Sequence, residues 1–129
     1  MTMKAIHSEA APRAVGPYSQ AMVCDGMLYA SGQIGLIPET GRLAGVDVAA
    51  QARQAMRNLS AVLAEAGCSE QDIVKATIFL TDMDDFSEVN GLYAEWLGAH
   101  RPARATVAVA ALPLGAKVEI EVVARVPKA

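Results

Sequence analysis

YSQAMVCDGMLYASGQI, Tyr18 to Ile34, is two apolar runs joined by Asp25-Gly26. Each run has strand length, and an Asp-Gly pair between such runs is a strong hairpin signal. A two-residue reversal needs positive φ, which Gly adopts freely and Asp tolerates. The chain is thus expected to enter its fold as a β-hairpin, Tyr18–Cys24 with Met27–Ile34. Downstream, Gly35 to Gly45, with Pro38 and Gly41, reads as a loop. From Asp47 the period changes. Val48, Ala52, Ala55, Met56, Leu59, Val62, Leu63 and Ala66 recur at helical spacing, with Asp47 as N-cap and Gly67 as the C-terminal stop.

Asp72 to Thr81 (DIVKATIFLT) is β-branched and reads as a strand. Asp84 or Asp85 is expected to cap a second helix that runs to Leu97 and stops at Gly98. Its apolar stripe is Phe86, Val89, Leu92, Tyr93 and Trp96. Ala103–Ala111 gives another strand, Leu112–Ala116 a turn, and Lys117–Val126 the last strand. The order β-β-α-β-α-β-β predicts one α+β domain over residues 1–129, with both helices on one face of a single mixed sheet. One layer of helices leaves the other face uncovered. The Ala- and Val-rich final strands make that face apolar, which predicts an oligomer on physical grounds.

Composition narrows the function. Of the 129 residues 53% are apolar and 5% aromatic, so a globular core must be built from Ala, Val, Ile, Leu and Met. Two cysteines, Cys24 and Cys68, without a CxxC fit a reducing cytosol, a single disulfide being the weaker alternative. Met1 to Ala14 lacks a signal-type apolar core, and no apolar run nears the ~20 residues needed to span a bilayer. A cytoplasmic protein with no membrane partner is expected. Net charge is −3 with dispersed Lys and Arg, which argues against nucleic acid as a partner.

With no GxSxG, Walker-type loop, GxGxxG or metal-spaced cluster, chemistry must come from isolated polar residues. Arg104 opens an apolar strand. It reads either as an edge arginine snorkelling to water or as a clamp whose paired donors match a carboxylate. Glu119 and Glu121 share one strand face. That face is either solvated, or one of the two orients or deprotonates a water; nothing local decides which. Ser31-Gly32-Gln33 marks a bulge or a close approach of a ligand. Tyr18 is a core aromatic or a pocket wall. His7 and His100 read as surface residues, Cys68 as structural, and Cys24 lacks a neighbouring base to activate it.

These places carry a resemblance. GPYSQA (Gly16–Ala21), YASGQIG (Tyr29–Gly35), VKATIFLTDMDDFSEVN (Val74–Asn90), RPARATVAV (Arg101–Val109) and KVEIEVVA (Lys117–Ala124) occur in an order and spacing that resemble the RidA/YjgF family of reactive-intermediate deaminases. The resemblance covers nearly the whole chain. It implies a chorismate-mutase-like fold, and a homotrimer with clefts between subunits. It also implies hydrolysis of 2-aminoacrylate/2-iminopropanoate and 2-iminobutanoate to 2-oxo acids and ammonia, with no metal or organic cofactor. Residue by residue, Arg104 matches the family's carboxylate-binding arginine and Glu119 its water-activating acid. Tyr18 matches a pocket tyrosine, Ser31 and Gly32 cleft residues, and Asn90 a position near the site. Many members carry cysteine where this chain has Thr106. The role there belongs to the backbone carbonyl, which Thr106 also supplies. The alternative is a non-catalytic trimer that binds a small metabolite through Arg104, with Glu119 dispensable. A nuclease or translation-inhibiting role, attached to relatives, is disfavoured by the acidic balance.

Overall fold

The computed structural model describes residues 2–128. Its elements are β1 (Met3–Ile6), β2 (Ala21–Cys24), β3 (Met27–Ala30), β4 (Gln33–Ile34), α1 (Val48–Glu65), β5 (Ile73–Leu80), α2 (Phe86–Leu97), β6 (Ala103–Ala108) and β7 (Val118–Arg125). The expected hairpin is present. Asp25 and Gly26 take φ of 53° and 76°, and Cys24 pairs with Met27. A reversal of this hand matches the right-handed twist of the strands it joins.

Some expectations of the elements need correction. Met27–Ile34 is two strands, β3 and β4, broken at Ser31-Gly32. The first hairpin strand starts at Ala21 rather than Tyr18, and β1 adds to its outer edge with Met3 opposite Cys24. Only the last of the four β1 residues is buried, so no alternation announced it. Asp47 and Asp85 occupy the helix-entry positions, but neither side chain makes a cap hydrogen bond. At the far end of α1, the Gly67 and Cys68 amides donate to the Ala64 and Leu63 carbonyls at 3.0 and 2.9 Å, closing the helix as expected.

The sheet runs β1-β2-β3-β7-β5-β6, with β4 also paired to β7. β5 and β6 are parallel and the other pairings antiparallel, so the sheet is mixed. Both helices pack on one face. Ala52, Ala55, Leu59, Val62 and Leu63 of α1 meet Ile78, Leu80, Val118, Ile120 and Val122 in the core. Each fully buried Leu contributes ~1.5–3 kcal/mol over an exposed one, while the alanines let the helix backbone approach the sheet. The Trp96 indole N–H donates to Ser60 Oγ at 2.9 Å and ties α2 to α1.

The strict alternation of β7 buries Val118, Ile120, Val122 and Ala124 and sends Glu119, Glu121 and Val123 to the opposite face. There, strand pairing sets Phe79 between Glu119 on β7 and Val107 on β6, Glu121 beside Thr77, and Val123 beside Tyr29. Tyr29 and Val107 are 51% and 41% exposed, so this face offers apolar surface to a partner. His7 is exposed and 3.0 Å from Glu9. His100 departs from a surface reading: it is half-buried, with Nε2 2.7 Å from the Ile73 carbonyl. Cys24 and Cys68 are free thiols. No helix among the described residues is long and apolar enough to cross a membrane.

Candidate active site

Glu119 projects from the open face of β7 at the break between β3 and β4. A side chain at position 32 would stand 2.5, 2.7 and 2.9 Å from Glu119 Oε2, Cδ and Cγ. Gly32 is therefore neither a mere bulge nor only a ligand approach: its missing Cβ is the space the carboxylate occupies. Ser31 holds this break in place. Its hydroxyl donates to the Ser19 carbonyl at 2.6 Å and its amide to the Gln20 carbonyl at 2.9 Å. The Ser31 hydroxyl thus faces backbone.

Tyr18 stands across from them, on the segment leading into β2. That segment is anchored by buried Gln20. Its amide nitrogen donates to the Ser8 and Pro12 carbonyls at 3.1 and 2.9 Å, and its Oε1 accepts from the Ser8 amide at 2.6 Å. Tyr18, Gly32, Ile34, Pro113, Leu114 and Glu119 help line a pocket of about 410 Å³. Tyr18 is 53% exposed and is a wall rather than core. Burial pushes the Glu119 carboxyl above its ordinary value, and the neighbouring Glu121 charge adds to the rise. Neither ion pair among the described residues, His7–Glu9 or Arg125–Asp72, involves Glu119. The result is a half-buried, unneutralised carboxylate of enhanced basicity.

Arg104 lies elsewhere. It pairs with Ala76, whose side chain is buried under the helices, so it projects from the helix-bearing face of edge strand β6. Its Nη1 donates to Asn90 Oδ1 at 2.6 Å. Its guanidinium carbon is 5.0 Å from the centre of the Tyr93 ring and 5.6 Å from that of Phe86. Asn90, Tyr93, Ala94, Arg101, Pro102 and Arg104 line a second pocket of about 480 Å³. Thr106 follows on the same face, its Oγ1 buried without a hydrogen-bond partner. The Val109 amide donates to the Leu80 carbonyl at 2.7 Å. Backbone groups of alternate strand residues point to opposite edges, so the Thr106 carbonyl points away from β5, along the open edge of the sheet.

The candidates therefore fall into two groups. Tyr18, Gly32 and Glu119 converge on one pocket with Ser31 behind them, and Arg104, Asn90 and Thr106 meet at another. β7 and β6 are separated by β5, about 10 Å at the usual strand spacing, and the two key side chains leave opposite faces. One chain does not bring Arg104 and Glu119 together. Sequence reading placed Phe86 and Tyr93 only in an apolar stripe. Their contact with Arg104 was signalled by the i, i+4, i+7 spacing of Phe86, Asn90 and Tyr93 on one helix face. It also passed over Leu114, a turn residue at φ 58° that is 69% exposed beside the Glu119 pocket.

Residues 8–126 match the family described as Endoribonuclease L-PSP. The chain is 52% identical over 126 residues to Protein DfrA of Myxococcus xanthus, covering 96% of each. It is 46% identical over 121 residues to the 2-iminobutanoate/2-iminopropanoate deaminase of Homo sapiens, covering 94% of this chain and 88% of that one. A solved structure of the Rid-family protein YyfA from Yersinia pestis matches with a TM-score of 0.94 at 50% identity, over 97% of this chain and 100% of that one. By sequence and fold alike, the chain belongs to the Endoribonuclease L-PSP family, the RidA/YjgF family its motifs resemble.

Proposed function

We propose that this chain hydrolyses small 2-imino and 2-enamino acids to 2-oxo acids and ammonia, in clefts between the subunits of a homotrimer. The observation that carries the reading is the division of the site. Arg104, with Asn90, sits on edge strand β6, and the half-buried Glu119 carboxylate sits on the face that the helices leave uncovered. An imino acid has its carboxylate and its electrophilic carbon directly bonded, so both groups must reach one small molecule. Docking the β6 edge of one copy against the Glu119 pocket of the next satisfies this and covers the apolar face. The human relative named as an imine deaminase supports the substrate class.

The chemistry follows from the two halves. Arg104 presents paired donors to the substrate carboxylate and turns an encounter into an oriented complex. The enamine tautomerises to an imine, and the Thr106 carbonyl accepts a hydrogen bond from the protonated nitrogen. Glu119 from the adjoining copy positions a water and takes its proton as the oxygen attacks the imine carbon, a role worth about 10²–10⁴-fold in rate. The carbinolamine then collapses, returning a proton to the nitrogen and releasing ammonia. Tyr18 and Leu114 shield the reacting carbon from bulk water.

The test is pyruvate release from 2-aminoacrylate generated in situ, by wild type, Arg104→Ala and Glu119→Ala, with assembly mass read by sedimentation. Acceleration by wild type that both variants lose, on a trimeric protein, is the expected result. Pyruvate at the spontaneous rate with wild type would overturn the proposal. If the protein still bound 2-oxo acids, and Glu119→Ala left that affinity unchanged, a binding trimer would be the reading that remains.

A further inference from the structure

We propose that Phe86 and Tyr93 are positioning residues for Arg104. Their rings bracket its guanidinium and, with Asn90, fix the direction of its donors before any carboxylate arrives. The proposal rests on the reading of Arg104 as the carboxylate clamp and adds what makes the clamp rigid.

The geometry comes from one face of α2. Phe86, Asn90 and Tyr93 stand at i, i+4 and i+7, so one helix face presents ring, amide and ring to the strand beside it. The Arg104 guanidinium carbon lies 5.0 Å from the Tyr93 centroid and 5.6 Å from the Phe86 centroid, both within the ~6 Å range of cation–π attraction. Neither ion pair among the described residues involves Arg104. A carboxylate would hold the cation by consuming its N–H groups and cancelling its charge. Ring faces hold it by the quadrupole and consume neither. Asn90 takes one N–H, at 2.6 Å. Of the five donors a guanidinium carries, the others remain for a ligand.

The exposure of the three side chains fits this division of labour. Tyr93 is 5% exposed and Phe86 half-buried, so the rings are themselves fixed by packing, whereas Arg104 reaches solvent. An arginine free in water must surrender several rotatable bonds to grip a carboxylate. One already held between two rings has surrendered them on folding, which is preorganisation in its usual sense. The Tyr93 hydroxyl is buried without a hydrogen-bond partner, so the contribution assigned here belongs to the ring face.

The experiment measures 2-oxobutanoate affinity by calorimetry alongside KM and kcat. Tyr93→Leu and Phe86→Leu are each expected to raise Kd and KM about three- to fivefold, the loss of one cation–π contact at a solvent-exposed guanidinium, with kcat within about twofold. Tyr93→Phe, which keeps the ring, is expected to restore wild-type affinity within about twofold. In an Arg104→Ala background Tyr93→Leu should add no further loss, a non-additivity that general loosening of the core does not produce. Thermal melts report folding, and half-buried Phe86→Leu carries the test if Tyr93→Leu fails to fold. Wild-type affinity in a folded Leu variant, or equal damage by Tyr93→Phe and Tyr93→Leu, overturns the bracket alone. A wild type that neither binds 2-oxobutanoate nor turns over imines overturns the clamp, and this proposal with it.

Discussion

Gly32→Ala separates catalysis from stability more sharply than any change to a charged residue. The added Cβ would meet Glu119 Oε2 at 2.5 Å, whereas ordinary contact begins at 3.4 Å. The carboxylate must therefore retreat by 3.4 − 2.5, about 0.9 Å. A misplacement of about 1 Å costs on the order of 100-fold in rate when a general base must meet a bound water, equivalent to about 2.7 kcal/mol of barrier. Stability should move little. The clashing atoms, Cγ to Oε2, belong to one half-buried side chain that clears the new methyl by turning about its Cα–Cβ bond, and Gly32 is not among the glycines with positive φ. Alanine at such a position gains about 0.4–1 kcal/mol through the unfolded chain, which offsets the rearrangement. The assay is steady-state pyruvate or ammonia release with a thermal melt of the same sample. The expected result is kcat down about 100-fold with the melting midpoint held or slightly raised. A folded Gly32→Ala enzyme within threefold of wild type would refute the idea that Glu119 works from the place it occupies over Gly32.

Three further outcomes follow from the structure. Glu121→Gln removes the like charge that helps raise the Glu119 carboxyl, so Glu119 stays ionised to lower pH. The acidic limb of the kcat/KM profile, where activity is lost as Glu119 takes up a proton, should shift to lower pH, and an unmoved limb would assign that limb to another group. Val107→Asp places a charge on the open face beside Phe79. Sedimentation should show smaller species and assays little turnover; an intact, active trimer would move the interface elsewhere. Asp72 is held below the ordinary carboxyl range, first by the Ser69 amide at 2.9 Å and then by Arg125 at 3.2 Å. A depressed carboxyl contributes stability above its unfolded value and loses it as pH falls through the folded one. Urea midpoints of wild type and Asp72→Asn should differ at pH 7 and converge in acid, whereas parallel curves would deny Asp72 that share.

Chain-local physics was legible from the residues. Asp25-Gly26 forced a reversal because few residues tolerate its dihedrals, and apolar residues recurring from Val48 specified a helix because 3.6-residue spacing makes one face. Glu119 and Glu121 shared a side because strand side chains alternate. Each of these inferences spans fewer than about twenty residues. β1 escaped because four mostly exposed residues carry no period, whereas the glycine of Ser31-Gly32-Gln33 marked an interruption there without showing that one strand ends and another begins.

What only the tertiary structure decided depends on residues distant in sequence. That Glu119 rather than Glu121 occupies the pocket follows from β4 pairing with β7 across more than eighty residues, which sets Ile34 opposite Glu119 and leaves the space over Gly32, two residues before Ile34, to the Glu119 carboxylate. That Arg104 lies within cation–π range of both Phe86 and Tyr93 follows from the parallel docking of β6 on β5 beside α2. The separation of Arg104 and Glu119 onto opposite faces has the same origin. A sequence states which residues alternate along a strand, but the face each strand turns to the helices is set by burial of the whole sheet. The division of the candidate site between two surfaces therefore had no local signature, and it is this division that asks for a second copy.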